Sequence, residues 1–281
     1  MLARVSLTTA PQAVPVRDAV GPAGGWRGWL GPMLMGVLAA LLRLPGLGRP
    51  HALVFDETYY AKDGLALLLF GHEMDAKENA NEMLLALDGD DVEAAATIFK
   101  DSPAYVVHPP FGKWVIAAGE KVFGPDPFGW RIGVAILGIL SVVMLARIVR
   151  RMTGSNLLGT IAGFLLAIDG VAIVLSRTAL LDGVLAFLVL AAFGALVLDR
   201  DRTRRMWPER SLRPWRWVAA VALGLACGVK WSGLWFVVAF GLLTVFWDLG
   251  IRRQRGEPNA LLRTLVRDAV QIGRASCRER V

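Results

Sequence analysis

Apolar and polar positions fall into long blocks along this chain rather than into a short repeat. Runs free of charge extend over Gly28–Leu42, Ile132–Ala146, Leu157–Ile168 continued by Gly170–Ser176, Gly183–Leu198, Trp217–Val229 and Trp231–Trp247. Several are apolar on every helical face, unlike the one-sided helices of a soluble bundle. A bilayer-crossing helix needs about 20 such residues. Each run gains its missing length from a flanking Arg, Lys or Asp whose head group can reach the interface or a polar cavity. The blocks predict an all-α integral membrane protein with six transmembrane helices, helix 1 over 26–44 and helices 2–6 within 129–250.

The intervening segments differ in character. Residues 1–25 are rich in Pro, Gly and Ala and lack an apolar core, which predicts a flexible tail and makes helix 1 an uncleaved anchor. The connection over 45–128 is long. In it, Tyr59–Phe70 and Phe111–Val122 predict amphipathic helices at the membrane interface, separated by an acidic surface excursion from His72 to Asp101. A polar segment follows over 251–270.

Composition then supplies the orientation. The chain has 281 residues, 55% hydrophobic and 20% charged, with a net charge of +7. Arg4, Arg17 and Arg27 precede helix 1, and Arg147, Arg150 and Arg151 lie between helices 2 and 3. Seven arginines from Arg200 to Arg216 lie between helices 4 and 5, and Arg252, Arg253 and Arg255 follow helix 6. The opposite side has only Arg177 and Lys230 in its short connections. Basic loops stay cytoplasmic, so the amino terminus, 1–25 and 251–270 face inward and 45–128 is extracytoplasmic. That outer connection holds six Lys/Arg against fourteen Asp/Glu, a net of −8. Topology accounts for the basic excess, and no nucleic acid is implied. The location expected is the plasma or inner membrane, with lipids as neighbours. Two cysteines, Cys227 and Cys277, exclude a disulfide framework.

The last eleven residues, QIGRASCRERV over 271–281, resemble the translation of a sequencing-library adapter. An ordinary basic amphipathic end is the competing reading. As an adapter-derived stretch it lies outside the functional argument, and its removal takes three Arg and one Glu and leaves a net charge of +5.

Candidate chemistry gathers on the acidic side. Asp56 and Glu57 are adjacent carboxylates at an outer helix end, followed by aromatics; such a pair can deprotonate and orient a hydroxyl. Acidic residues also suit the first turn of a helix, and spacing alone leaves both readings open. His108, before two prolines, and Lys113 carry no specific signal alone. Arg131 opens helix 2, Arg177 closes helix 3, Asp182 opens helix 4 and Lys230 closes helix 5, all at outer ends. Asp169 lies eight residues before Arg177, about 12 Å deeper in one helix, where an ionisable group marks an aqueous cavity. Three cations near one leaflet suit a lipid-linked phosphate, although snorkelling also accounts for Arg177 or Lys230. His51, His72 and His108 lack metal-ligand spacing, so no metal is expected.

In order, FDETYYAKDG, VVHPPFGKW, PFGWRIG, an Asp-Gly followed by SRTALLD, GVKWSG and FWDLG resemble the bacterial branch of the protein O-mannosyltransferases. The resemblance spans about Leu44 to Val270. It implies a GT-C-type multi-helix bundle that transfers mannose, with inversion, from polyprenyl-phosphate mannose to Ser or Thr of secreted or membrane proteins. It further implies contact with the secretion translocon and no cofactor beyond the lipid-linked donor. Asp56 would be the general base and Glu57 would position acceptor or sugar. Arg131 and Lys230 would counter the donor phosphate. His108, Lys113, Asp169, Arg177 and Asp182 are candidate site residues without assigned roles.

Family members continue past the sixth helix, so the chain corresponds to an amino-terminal half and is expected to be inactive alone. Three rival functions are another GT-C transferase of the aminoarabinose type, a transporter, and a non-catalytic binding or assembly subunit. A transporter predicts internal repeats, which the sequence lacks.

Overall fold

The computed structural model describes residues 25–87, 92–205 and 213–266. The tail expected over 1–25 lies outside them except for Gly25, as do 267–270 and the adapter-like end 271–281. The chain runs α1 (Arg27–Arg43), α2 (Glu57–Phe70), β1 (Met74–Ala76), α3 (Ala80–Leu85), α4 (Val92–Ala96), β2 (Phe99–Pro103) and α5 (Phe111–Phe123). It continues through α6 (Pro127–Thr153), α7 (Asn156–Ile168), α8 (Gly170–Arg177), α9 (Leu181–Arg205), α10 (Pro214–Cys227) and α11 (Gly233–Gln254). The all-α expectation is modified by the antiparallel pair β1–β2, with Met74 opposite Pro103 and Ala76 opposite Phe99.

Local chemistry sets the helix boundaries. Asp126 precedes α6 in extended conformation and accepts the Gly129 N–H at 2.7 Å, while Pro127 takes the first helical position. Gly154, at φ 73°, ends that helix in the left-handed conformation a side chain would resist. Ser155 starts α7 by accepting the Leu158 N–H at 3.2 Å.

Asp169 starts α8 by accepting the Ala172 N–H at 2.7 Å, and this cap corrects the sequence expectation. An N-cap residue leaves helical backbone, so α7 and α8 are not one straight helix; they meet at a 60° bend. Asp169 sits exposed at the corner and not along a helix wall below Arg177.

Among the described residues three helices, α6, α9 and α11, are long and apolar enough to cross a membrane, and the α7–α8 pair is a fourth if the bend belongs to one span. The other two expected spans, α1 and α10, have 17 and 14 residues. Apolar side chains nonetheless face outward on both long and short helices: Met33, Leu34, Val37 and Leu41 on α1, Leu234, Trp235, Leu242 and Phe246 on α11. Exposed apolar area of that extent suits lipid or a further protein surface.

The principal core joins α2, α3, α4, β2, α5, α6 and α9 through Tyr60, Leu65, Leu84, Ala95, Ile98, Ile116, Trp130, Val134 and Leu181. In the described parts of the acidic segment, 72–87 and 92–101, the surface excursion expected from the sequence is not found: Leu84 and Ile98 are buried and contribute roughly 1.5–3 kcal/mol each. For the same reason α2 is not a one-sided interfacial helix: Tyr60, Ala61, Gly64, Leu65, Ala66 and Leu67 are all buried. Close approach brings α5 onto α6, where a methyl group at Gly119 would collide with the Gly129 carbonyl. A second core of Ala192, Leu196, Ala219 and Leu223 joins α9 to α10, and Ala39, Val142 and Ala167 join α1, α6 and α7.

Candidate active site

The loop between α1 and α2 delivers the acidic pair. Phe55 has φ 54°, a left-handed conformation that costs a bulky residue roughly 1–3 kcal/mol. The two carboxylates that follow this turn differ in burial, Asp56 half-buried and Glu57 fully buried. Glu57 points into the protein and has no solvent exposure. Its Oε1 accepts from Arg131 Nε at 2.7 Å and from the Ala179 N–H at 2.8 Å. Its Oε2 accepts from Arg131 Nη2 at 2.7 Å and from the Val54 N–H at 2.9 Å. Arg131, 1% exposed, donates its remaining N–H groups to the carbonyls of Leu47 and Pro50, both at 3.1 Å, and Ala52 at 2.7 Å.

These contacts change two expected roles. A guanidinium has five N–H donors, and all five of Arg131 are engaged, leaving none for a donor phosphate. Glu57 is likewise enclosed, with both oxygens engaged by Arg131 and by backbone N–H groups. Together they staple α2, α6 and the residue pair before α9.

Asp56 is the carboxylate left facing outward. It is half-buried, and its Oδ2 accepts a long hydrogen bond, 3.4 Å, from the Tyr60 hydroxyl. Burial, followed by the charges of Asp56 and Asp182, holds the Tyr60 phenol above its ordinary range, so it remains a donor. The His108 ring lies 6.2 Å from that of Tyr60. Burial and the positive charges of Lys230 and Lys113 push His108 below the usual imidazole value, against the opposing pull of Asp182 and Asp56. This direction favours the neutral imidazole, and among the described residues the His108 Nδ1 has no hydrogen-bond partner. Lys230 Nζ pairs with both oxygens of Asp182 at 2.9 and 2.8 Å, and the Asp182 side chain is 50% exposed. Asp56, Tyr60, His108, Asp182 and Lys230 form one polar cluster. Below Asp182 an apolar groove of about 390 Å³ opens between α9 and α11, lined by Leu185, Ala186, Val189, Phe193 and Phe240 among others.

The remaining sequence candidates have structural partners. Lys113 is buried and pairs with Asp63 at 2.8 Å and Glu73 at 3.2 Å, tying α5 to α2 and the chain entering β1. Arg177 donates to the carbonyls of Leu42, Arg43, Pro45 and Gly46 at 2.7–3.3 Å. Asp169 is the cap described above.

Sequence reading also missed charges inside apolar surroundings. Arg43 is buried and donates to Ser176 Oγ at 2.9 Å and to the carbonyls of Ala167 and Leu166 at 2.9 and 3.2 Å. Arg213 and Arg216 pair with Asp199 and Asp248, joining α9 and α11 to the start of α10. Glu120 is buried against Gly64. Burial alone drives its carboxyl well above the usual range. The usable signal was a charge at the end of an apolar run, which does not by itself say which charge faces inward.

Chemically, the cluster offers one carboxylate without a cationic partner among the described residues, a phenol donor beside it and a lysine paired with a half-exposed carboxylate. That set can remove a hydroxyl proton and neutralise an incoming anion.

The family model described as Dolichyl-phosphate-mannose-protein mannosyltransferase matches residues 33–255. A Mycobacterium tuberculosis polyprenol-phosphate-mannose–protein mannosyltransferase is 40% identical over 282 residues, covering 93% of this chain and 49% of that protein. Its Corynebacterium glutamicum counterpart is 34% identical, covering 92% and 53%. The chain spans about half the length of the curated relatives it matches. The fold also matches the Saccharomyces cerevisiae protein O-mannosyltransferase Pmt1-Pmt2 complex bound to the sugar donor, with TM-score 0.62 at 22% identity over 84% of this chain and 30% of that one. With the family match running from α1 through α11, this chain belongs to the dolichyl-phosphate-mannose–protein mannosyltransferase family.

Proposed function

We propose that the chain carries the catalytic base and part of the donor site of a membrane enzyme. It moves mannose from a polyprenyl-phosphate carrier to Ser or Thr hydroxyls of secreted or membrane proteins. The observation that carries this reading is Asp56: half-exposed, free of any cationic partner among the described residues, and bordered by Tyr60 and His108. Asp56 takes the hydroxyl proton as that oxygen attacks the anomeric carbon. The bond from that carbon to the phosphate oxygen breaks, and polyprenyl phosphate leaves with the electron pair. Attack opposite the leaving group inverts the centre. A phosphate is a good leaving group, so no second acid is required.

Lys230 pairs with the donor phosphate by exchanging it for Asp182, and stabilises the charge that grows on the leaving group. The groove between α9 and α11 receives the prenyl chain. Arg131 and Glu57 act at one remove, by holding the backbone that presents Asp56. No cofactor takes part.

For the membrane, α1, α6, the α7–α8 pair, α9, α10 and α11 are the six crossings. The basic loops face the cytoplasm of a plasma membrane and the Asp56 cluster faces outward, where acceptors emerge from the secretion translocon. Outward apolar side chains on α1 and α11 and the asymmetry of Lys and Arg support this arrangement.

The test substitutes residues 1–270 of this chain for the matched part of the Mycobacterium tuberculosis relative, giving a joined enzyme. Transfer from lipid-linked mannose to a Ser/Thr peptide is then measured. Asp56→Asn is expected to reduce kcat by about 10²–10⁴-fold, and unchanged transfer would remove the base assignment.

A further inference from the structure

The segment that carries Asp56 to its site has almost no secondary structure of its own. Between the end of α1 and Glu57 it contains turns, and the carbonyls of those turns are open to side-chain donors. Two guanidiniums supply them in succession. Arg177 takes the carbonyls of Leu42, Arg43, Pro45 and Gly46. Arg131 takes those of Leu47, Pro50 and Ala52 and then the Glu57 carboxylate.

Arg177 also stands in a particular relation to the far end of the loop. Two residues after it, the Ala179 N–H donates to Glu57 Oε1 at 2.8 Å. The stretch 177–179 therefore touches the loop at both ends, its side chain at the start and its backbone at the finish. The partnership is reciprocal, because the Arg43 side chain reaches Ser176 Oγ at 2.9 Å while Arg177 grips the Arg43 carbonyl at 2.7 Å.

We propose that Arg177 is a positioning residue for the transfer reaction: it fixes the start of the α1–α2 loop, and residues 177–179 thereby hold Asp56 at its working place. A simple cap on α1 would need only the last helical carbonyls. Arg177 reaches past the helix to Pro45 and Gly46, in the loop itself. This inference rests on the proposed role of Asp56 as base.

The grip is read directly by hydrogen–deuterium exchange on the 281-residue chain in lipid nanodiscs. The amides of Leu47, Arg49 and Glu57 donate within the loop and report on its opening. Arg177→Gln is expected to speed their exchange at least tenfold without changing the amides of α9 and α10. Arg177→Lys, which keeps the charge but lacks the fork, is expected to fall between. Unchanged loop exchange would overturn the proposal, and so would an equal rise throughout the chain, which would make Arg177 a general support of the fold.

Kinetics of the joined enzyme described above supply the second arm. Arg177→Gln is expected to lower kcat at least tenfold with donor KM within twofold, and Arg177→Lys to restore part of kcat. A loosened loop with unchanged kcat per folded molecule would overturn the positioning role. If the unsubstituted enzyme transferred no mannose, the proposed function would fail, while loop exchange would still uphold or overturn the grip of Arg177.

Discussion

Glu57 and Arg131, 74 positions apart in the sequence, are joined by two hydrogen bonds of 2.7 Å, and their side chains are 0% and 1% exposed. Such a pair offsets the cost of burying each charge only while both partners remain. Glu57→Leu alone or Arg131→Leu alone is expected to destabilise the protein by about 3–5 kcal/mol. The double substitution is expected to cost less than the sum of the two. Unfolding of the four proteins in detergent micelles checks this, and strict additivity would argue against the pairing.

Lys230 differs from Arg131 in having a half-exposed partner. Lys230→Gln is expected to raise the donor KM by about tenfold, the effect of losing roughly 1.4 kcal/mol of binding. Asp182→Asn releases the lysine and is expected to lower it. Steady-state transfer with varied lipid-linked mannose decides the matter; equal effects of both substitutions on KM would contradict the exchange of Asp182 for phosphate.

Glu120 makes stability depend on pH. Its carboxyl is raised above the ordinary value of 4.5 by burial, so the folded chain holds a proton that the unfolded chain releases. The contribution is fully present below the unfolded value and declines as pH rises towards the folded one, by about 1.4 kcal/mol per pH unit. Glu120→Gln keeps the shape and removes the proton, so it is expected to flatten this decline and to be more stable than the parent at pH 7. Unfolding measured from pH 4 to pH 8 tests it; parallel curves for the two proteins would refute it.

Asp169 is expected to matter for stability and not for chemistry. Asp169→Ala removes the acceptor for the Ala172 N–H and should cost about 0.5–2 kcal/mol, with transfer per folded molecule unchanged. A fall in kcat without a fall in stability would return Asp169 to the site.

The sequence made some of this legible and left the rest out of reach, for identifiable reasons. Long uncharged runs foretold α6, α9 and α11, because a helix surrounded by apolar contacts needs apolar residues on every face. The cluster was legible only in part: Asp182 and Lys230 stand at the ends of apolar runs, whereas Asp56 and His108 lie in the connecting segment and were singled out by their motifs and the family resemblance. The roles of Glu57, Lys113, Arg131 and Arg177 were not legible. A run end does not say whether a side chain turns towards an aqueous cleft or towards backbone carbonyls 130 residues away. The bend at Asp169 was hidden because an Asp-Gly pair inside an apolar stretch fits a capped corner as well as an intramembrane charge. Acidic composition concealed the buried face of the described parts of 72–101, whose few apolar residues are enough to dock them.

The bend between α7 and α8 has a consequence for how the protein is made. The carbonyls of Leu166 and Ala167 at the end of α7 are satisfied by the Arg43 side chain at the end of α1. In the proposed membrane arrangement, the bent pair without that guanidinium would expose bare carbonyls to hydrocarbon, where no water can replace the partner. In that arrangement α1, made first, would carry the counterpart for this corner before α7 emerged.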